Sequence, residues 1–150
     1  MAIAIFTTWT TYGSWLPGDE RGWFRPGEGW QLPNDLQIFE ATLALREDAI
    51  ALTQSQREIV EETVRKHCAI REWILHAVNC RTNHVHVVVD APGYEIQIPR
   101  EQFKAWCTRN LKASDEAGER RNWWTERGWD EYIDDEASLA EVIEYVLDRQ

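Results

Sequence analysis

Residues 73–90 read WILHAVNCRTNHVHVVVD, and the rest of the chain can be laid out around them. Trp73 to Cys80 and His84 to Asp90 are rich in β-branched and apolar residues, which suits strands. Arg81-Thr82-Asn83 between them is short and polar, so the two segments read as an antiparallel hairpin. Strand side chains alternate between faces, so Val85, Val87 and Val89 point one way and His84 and His86 the other. The valines can enter a core while both imidazoles stay on a separate surface.

Upstream, residues 3–11 (IAIFTTWTT) have strand composition. Residues 12–35 follow, with Gly, Pro and Asp too frequent for a regular element, and they read as a long loop carrying Trp15, Trp23 and Trp30. Loops of that length are functional or disordered, and the aromatic content speaks for function. From Ser55 to about Ile70, the spacing of Ile59, Val60, Val64 and Cys68 predicts an amphipathic helix. Downstream, Pro99 suits the first position of a helix running to about Ala113, with Phe103, Trp106, Cys107 and Leu111 on one face. Residues 120–134 read as irregular to extended. Ser138 to Gln150 carries the helical stripe Leu139, Val142, Ile143, Val146 and Leu147. This order is close to a split βαβ pattern. It predicts an α+β fold with a ferredoxin-like antiparallel sheet and helices on one face, in one domain over 1–150.

The chain has 150 residues and a formal charge of −10. That sum argues against a protein that coats nucleic acid indiscriminately, but it is unevenly distributed. Residues 1–64 carry a net −6, residues 65–112 a net +4 and residues 113–150 a net −8. Cys68, Cys80 and Cys107 form neither an even disulfide framework nor a CxxC pair. No apolar run reaches the length of a membrane span, and the N-terminus lacks a basic leader region. A cytoplasmic protein without a membrane partner is the expectation. Nine tryptophans in this length call for a reason.

Three features can carry chemistry. His84 and His86, two residues apart on a strand, share a face and can converge on one cation; an HxH pair on a solvated face is the plain alternative. Tyr145 falls well off the apolar stripe of its helix at 100° per residue, beside Glu141, Asp148 and Arg149. It is either a presented nucleophile or an exposed tyrosine. Arg100, Lys104, Arg109 and Lys112 lie around the helix that follows the hairpin. They can neutralise phosphates while exposed tryptophans stack on bases, or they can be a solvated helix surface.

His-Val-His in NHVHVVV, a basic helix after it and a late tyrosine helix in VIEYVLDRQ resemble the HUH-type one-tyrosine transposases. These are the insertion-sequence and REP-associated tyrosine transposases. FTTWTTYGSWLPGDERGW near the N-terminus is similar to the opening of one branch of that family. The resemblance spans essentially the whole chain. It implies the His pair on a central strand, a homodimer, a divalent Mg²⁺ or Mn²⁺, and single-stranded DNA cleaved near a hairpin. Tyr145 would attack the scissile phosphate to leave a 5′-phosphotyrosine, with His84 and His86 as metal ligands. Arg100, Lys104, Arg109 and Lys112 would contact the DNA.

The pattern departs from the family at one place. A Gln one turn after the tyrosine commonly completes the metal site, whereas here that position is Arg149 and the nearest Gln is Gln150. On a regular helix Gln150 falls on the apolar stripe, and Asp148 lies closer to Tyr145, so Asp148 is the expected third ligand. Two alternatives stand beside this reading. One is a hairpin-binding protein of the same fold with impaired catalysis; the other is a zinc hydrolase using His76 with His84 and His86.

Overall fold

The computed structural model describes residues 1–149; Gln150 lies outside them. In chain order the elements are β1 (Ala4–Thr10), β2 (Trp23–Arg25), β3 (Gly29–Gln31), α1 (Asp35–Leu43), α2 (Gln54–Arg71), β4 (Ile74–Cys80), β5 (His84–Asp90), α3 (Ile98–Lys112), β6 (Trp129–Ile133) and α4 (Glu136–Glu144). A π-helical turn, Tyr145–Arg149, continues directly from α4.

The main sheet has the order β4-β5-β1-β6, with every neighbouring pair antiparallel. The first strand is thus inserted between the hairpin and the last strand, which is the ferredoxin-like arrangement expected. The His-Val-His strand, β5, is central. Its alternation holds: Val85, Val87 and Val89 are fully buried with Trp9, Val60, Val64, Phe103, Cys107 and Leu111. The two crossover helices, α2 and α3, cover this face. Val88 enters a second, smaller core on the opposite face with Ala4, Ala77, Ile133, Leu139 and Val146. There α4 and the π turn lie over part of the sheet. Helix α2 starts with a reciprocal capping box between Thr53 and Gln56, and the chain leaves it at Glu72 in the left-handed conformation. No helix among the described residues is long and apolar enough to cross a membrane.

Several local expectations are corrected. Residues 12–35 are not wholly irregular: β2 and β3 form a small hairpin, followed by α1. Glycines in the left-handed region turn the chain between these short pieces. At Gly18 (φ +91°) a Cβ would collide with the Asn34 carbonyl and the Ile38 amide, so only glycine lets the start of α1 pack onto the loop. Pro99 is the second residue of α3. Trp106 is exposed, leaving Phe103, Cys107 and Leu111 as the buried face. The last helix begins two residues before Ser138 because Asp135 caps it, accepting a bond from the Ser138 amide at 2.8 Å. It loses α geometry at Tyr145, and Leu147 is consequently exposed although Val146 is fully buried.

His67, 4% exposed on α2, packs edge-on against Trp73 and Phe103, with Nε2 2.7 Å from Gln102 Oε1. Burial lowers its pKa below the ordinary value. The unfolded chain therefore binds more protons once pH falls below the ordinary histidine range, and stability present above that range is lost as pH drops. In urea unfolding at pH 7.5 and pH 5.5, the wild type is expected to lose more stability between the two than His67→Phe. Equal losses would count against this assignment.

Candidate functional site

The register places a row of side chains across one face of the sheet. Asn79 pairs with His86, His86 with Thr8, and Thr8 with Trp129. Thr8 Oγ1 lies 2.7 Å from His86 Nδ1, and His84 Nδ1 lies 2.8 Å from Asn83 Oδ1. An amide oxygen only accepts, so His84 donates to Asn83 through Nδ1. The Thr8 hydroxyl can accept from His86 Nδ1 in the same way. The rings are 4.8 Å apart between centroids. His86 is buried, and burial first, then the nearby His84 and Arg81, push its pKa down to about 4. It is neutral at physiological pH, as a ligand must be. Asn83, which the sequence suggested mainly closes the hairpin turn, thus also orients His84.

Tyr145 stands beside this pair within the same chain. Its ring centroid is 5.8 Å from that of His86 and 6.3 Å from that of Phe6, both edge-on. The ring remains 43% exposed, so a ligand can reach it. The π turn is tied to the sheet by Asn79, whose Nδ2 donates to the Val146 carbonyl at 2.8 Å. Single π turns inside helices recur at functional sites because the wider turn re-aims side chains. Regular helical azimuths consequently do not hold for Asp148, which is exposed on this turn.

A cavity of about 170 Å³ opens at His84 and His86, lined also by Thr8, Thr10, Ser14, Trp15, Arg21 and Asn83. The 12–35 segment therefore supplies one wall. Arg21 is held by Asp19, with Nε 2.8 Å from Oδ1 and Nη2 2.8 Å from Oδ2, and Nη2 also donates to the Ser14 carbonyl at 2.6 Å. Its guanidinium carbon lies 4.1 Å from the Trp15 ring centroid. The Arg21 guanidinium holds the Asp19 carboxyl below the usual carboxylate range. Neither Arg21 nor Thr8 stood out in the sequence. The only signal was the unusual aromatic density of the loop.

The cations of α3 lie elsewhere. This helix packs on the valine face of β5, across the sheet from the histidines. Arg100 is mostly buried and bidentate to Asp130, with Nε 3.0 Å from Oδ1 and Nη2 3.0 Å from Oδ2. Lys104 Nζ donates to the carbonyls of Thr125 (2.7 Å) and Arg127 (3.1 Å), and burial lowers its pKa to about 8. Both brace the β6 side of the fold. Arg109 stacks on Trp106 at 4.9 Å, and Lys112 is exposed at the helix end. The structure does not gather these four at the His84–His86 cavity.

The donor chemistry of His84 and His86 fits a divalent cation, but among the described residues no three His, Cys, Asp or Glu side chains are grouped to hold one. Asp148 is therefore not assembled with the histidines, and Gln150 lies outside the described residues. His76 does not join them either. It sits in a bulge opposite Val88 and Val89, toward the far end of β5 from His84, so the three-histidine zinc arrangement does not form.

Comparison with known proteins adds to this geometry. The family model described as "Transposase IS200 like" matches residues 42–148. The structure of the REP-associated tyrosine transposase bound to a REP hairpin aligns at TM-score 0.56 and 14% identity, over 97% of this chain. The chain spans 66% of that protein's length. A crystal structure of a candidate transposase from Deinococcus radiodurans R1 aligns at TM-score 0.47 and 14% identity, over 100% of this chain and 92% of that one. No curated protein matches the chain.

Asn79 is a positioning residue for the tyrosine. Asn79→Ala removes the bond to the Val146 carbonyl and is expected to cost about 1 kcal/mol in denaturant unfolding. It should also abolish ring-to-ring nuclear Overhauser effects between Tyr145 and His86. Their persistence in the variant would show that Asn79 does not hold the turn.

Proposed function

The chain belongs to the IS200-like transposase family, and on that footing we propose that it cleaves and rejoins single-stranded DNA beside a hairpin, with Tyr145 as nucleophile. The observation that carries this reading is the contact of Tyr145 with His86, 5.8 Å between ring centroids, where His86 also lines an open cavity. The fold match to a hairpin-bound tyrosine transposase supports hairpin DNA as the partner.

In this mechanism the scissile phosphate lies in the cavity before His84 and His86. Tyr145 Oη gives up its proton and attacks phosphorus. The bond to the 3′ oxygen breaks, that oxygen takes up a proton, and the 5′ phosphate remains on the tyrosine. Attack by a 3′ hydroxyl reverses the step, so no external energy source is needed for rejoining. A bound Mg²⁺ or Mn²⁺ would supply Lewis-acid polarisation of the phosphate oxygens. His84 and His86 would hold it, with Asn83 and Thr8 fixing the two rings. Asp148 is the third ligand in this proposal and would have to swing in when DNA binds. Arg109 and Lys112 are left as outlying phosphate contacts, while Arg100 and Lys104 act through the fold that presents the site. Because Tyr145 faces the histidines of its own chain, each protomer of the proposed homodimer carries a complete nucleophile–histidine pair.

Among the described residues no third acidic ligand is grouped with the histidines, which favours one second reading, a protein that binds hairpins without cutting them. Incubation with hairpin-flanked single strands and Mn²⁺ separates the two. A covalent protein–DNA adduct, visible as a denaturation-resistant band, is expected for the wild type. Tyr145→Phe should lose the adduct entirely while keeping hairpin affinity. An adduct that survives this substitution would overturn the nucleophile, and salt-sensitive hairpin binding with no adduct in Mg²⁺ or Mn²⁺ would establish the binding-only reading.

A further inference from the structure

The 12–35 loop does more than wall the cavity. Trp15, which lines it, lies 6.2 Å from Trp30 between ring centroids, and Trp30 lies 6.2 Å from Trp129. All three rings are exposed, Trp30 and Trp129 by about half. Trp129 pairs with Thr8, the residue bonded to His86, so both ends of this arc begin at the histidine site. The rings form a continuous aromatic rim above β1 and β6, whereas the π turn with Tyr145 packs on β4 and β5. The cavity opens at the Trp15 end of this rim, against His84 and His86.

Such exposure is costly in water, and here it is built rather than incidental. Trp15 Nε1 donates to the Gly22 carbonyl at 2.8 Å, fixing its ring. Trp30 is held on the small hairpin opposite Phe24. Arg21 backs the Trp15 ring, its Nε and Nη2 already bonded to Asp19 and Ser14, and Nη1 makes none of these bonds. Residues 12–34 otherwise hold only Arg25 as a cation, against Asp19, Glu20 and Glu28. A partner recognised mainly by phosphate charge does not fit this surface. A partner with exposed π-faces and sparse charge contacts does.

We infer that the Trp15–Trp30–Trp129 rim is a stacking site for the unpaired bases of the DNA strand that crosses the cavity, with Arg21 Nη1 taking a phosphate of that strand. This rests on the reading of the cavity as a DNA-cleavage site and extends it from the hairpin to the adjoining single strand. Base–tryptophan stacking tolerates any sequence. The rim therefore holds the strand while sequence or hairpin selection occurs elsewhere. Stacking releases few counterions, so its share of the affinity should vary little with salt.

The test uses the full chain in EDTA with three fluorescent probes: a blunt hairpin, the same hairpin with a single-stranded thymidine tail, and an unstructured oligothymidine. Trp30→Ala is the variant of choice because Trp30 is exposed and outside the cavity, and circular dichroism checks its fold. It is expected to bind the tailed hairpin and the oligothymidine about five- to tenfold more weakly than wild type, and the blunt hairpin equally well. Trp30→Phe should recover most of the loss, and the ratio between wild type and Trp30→Ala should persist as salt is raised. Undiminished binding of both single-stranded probes by Trp30→Ala would overturn the inference, as would an equal loss on the blunt hairpin. Conversion of a dimer to a monomer with single-strand binding intact would overturn it too, assigning the rim to a contact between copies. Failure of the wild type to bind either hairpin would count against the cleavage reading alone, because the oligothymidine still reports on the rim.

Discussion

Everything in this molecule depends on the two-residue alternation of β5 within the sheet. Because β5 is flanked by β4 and β1, neither of its faces can shift without breaking two ladders of hydrogen bonds. Val85, Val87 and Val89 are locked into the main core under α2 and α3, and that burial obliges His84 and His86 to face the other way. A slip of one residue would turn both imidazoles into the main core and move three valines to the site face. The site is thus held by the hydrophobic core on its far side. The neighbouring strands then tune it. Thr8 of β1 and Asn83 of the hairpin turn orient the rings, and Asn79 of β4 ties down the turn that carries Tyr145.

The charge of the chain takes on a different meaning in this setting. A net −10 first suggests a protein unsuited to nucleic acid. Yet several carboxylates are engaged internally: Asp19 with Arg21, Asp130 with Arg100 and Thr7, and Glu61 with the Cys80 amide. Glu47 accepts from the Arg121 and Asn122 amides, which holds its carboxyl below the usual range, and Asp135 caps α4. Much of the acidity braces loops and helix ends. The basic helix that looked like a DNA contact is drawn into the same bracing, since Arg100 and Lys104 secure the β6 side. The tryptophans divide in a similar way. Trp9, Trp23, Trp73 and Trp123 are buried and Trp124 is half-buried, while Trp15, Trp30, Trp106 and Trp129 remain at the surface.

The hairpin, the first strand, both crossover helices and the opposed valine and histidine faces were legible in the sequence, because each rests on local composition or periodicity. Local signals were weakest between residues 12 and 43. Three-residue strands are too short to show a period, and α1 exposes Leu36, Phe39 and Leu43 with no buried residue to mark a face. The late helix was legible as a stripe, but its change to π geometry at Tyr145 was not. That change depends on what the turn packs against.

By itself, then, the sequence determined the first strand, the hairpin and the three longer amphipathic helices, the strand that carries the histidines and the tyrosine that could join them. Only the tertiary structure decided that Tyr145 meets His86 of its own chain, that Arg21 and Trp15 wall the cavity, and that Arg100 and Lys104 turn inward. The physical reason is range. Alternation and helical period are set by the residues next along the chain, whereas these outcomes need partners that only folding brings near: Thr8 lies 78 positions from His86, and Asn79 lies 67 from Val146.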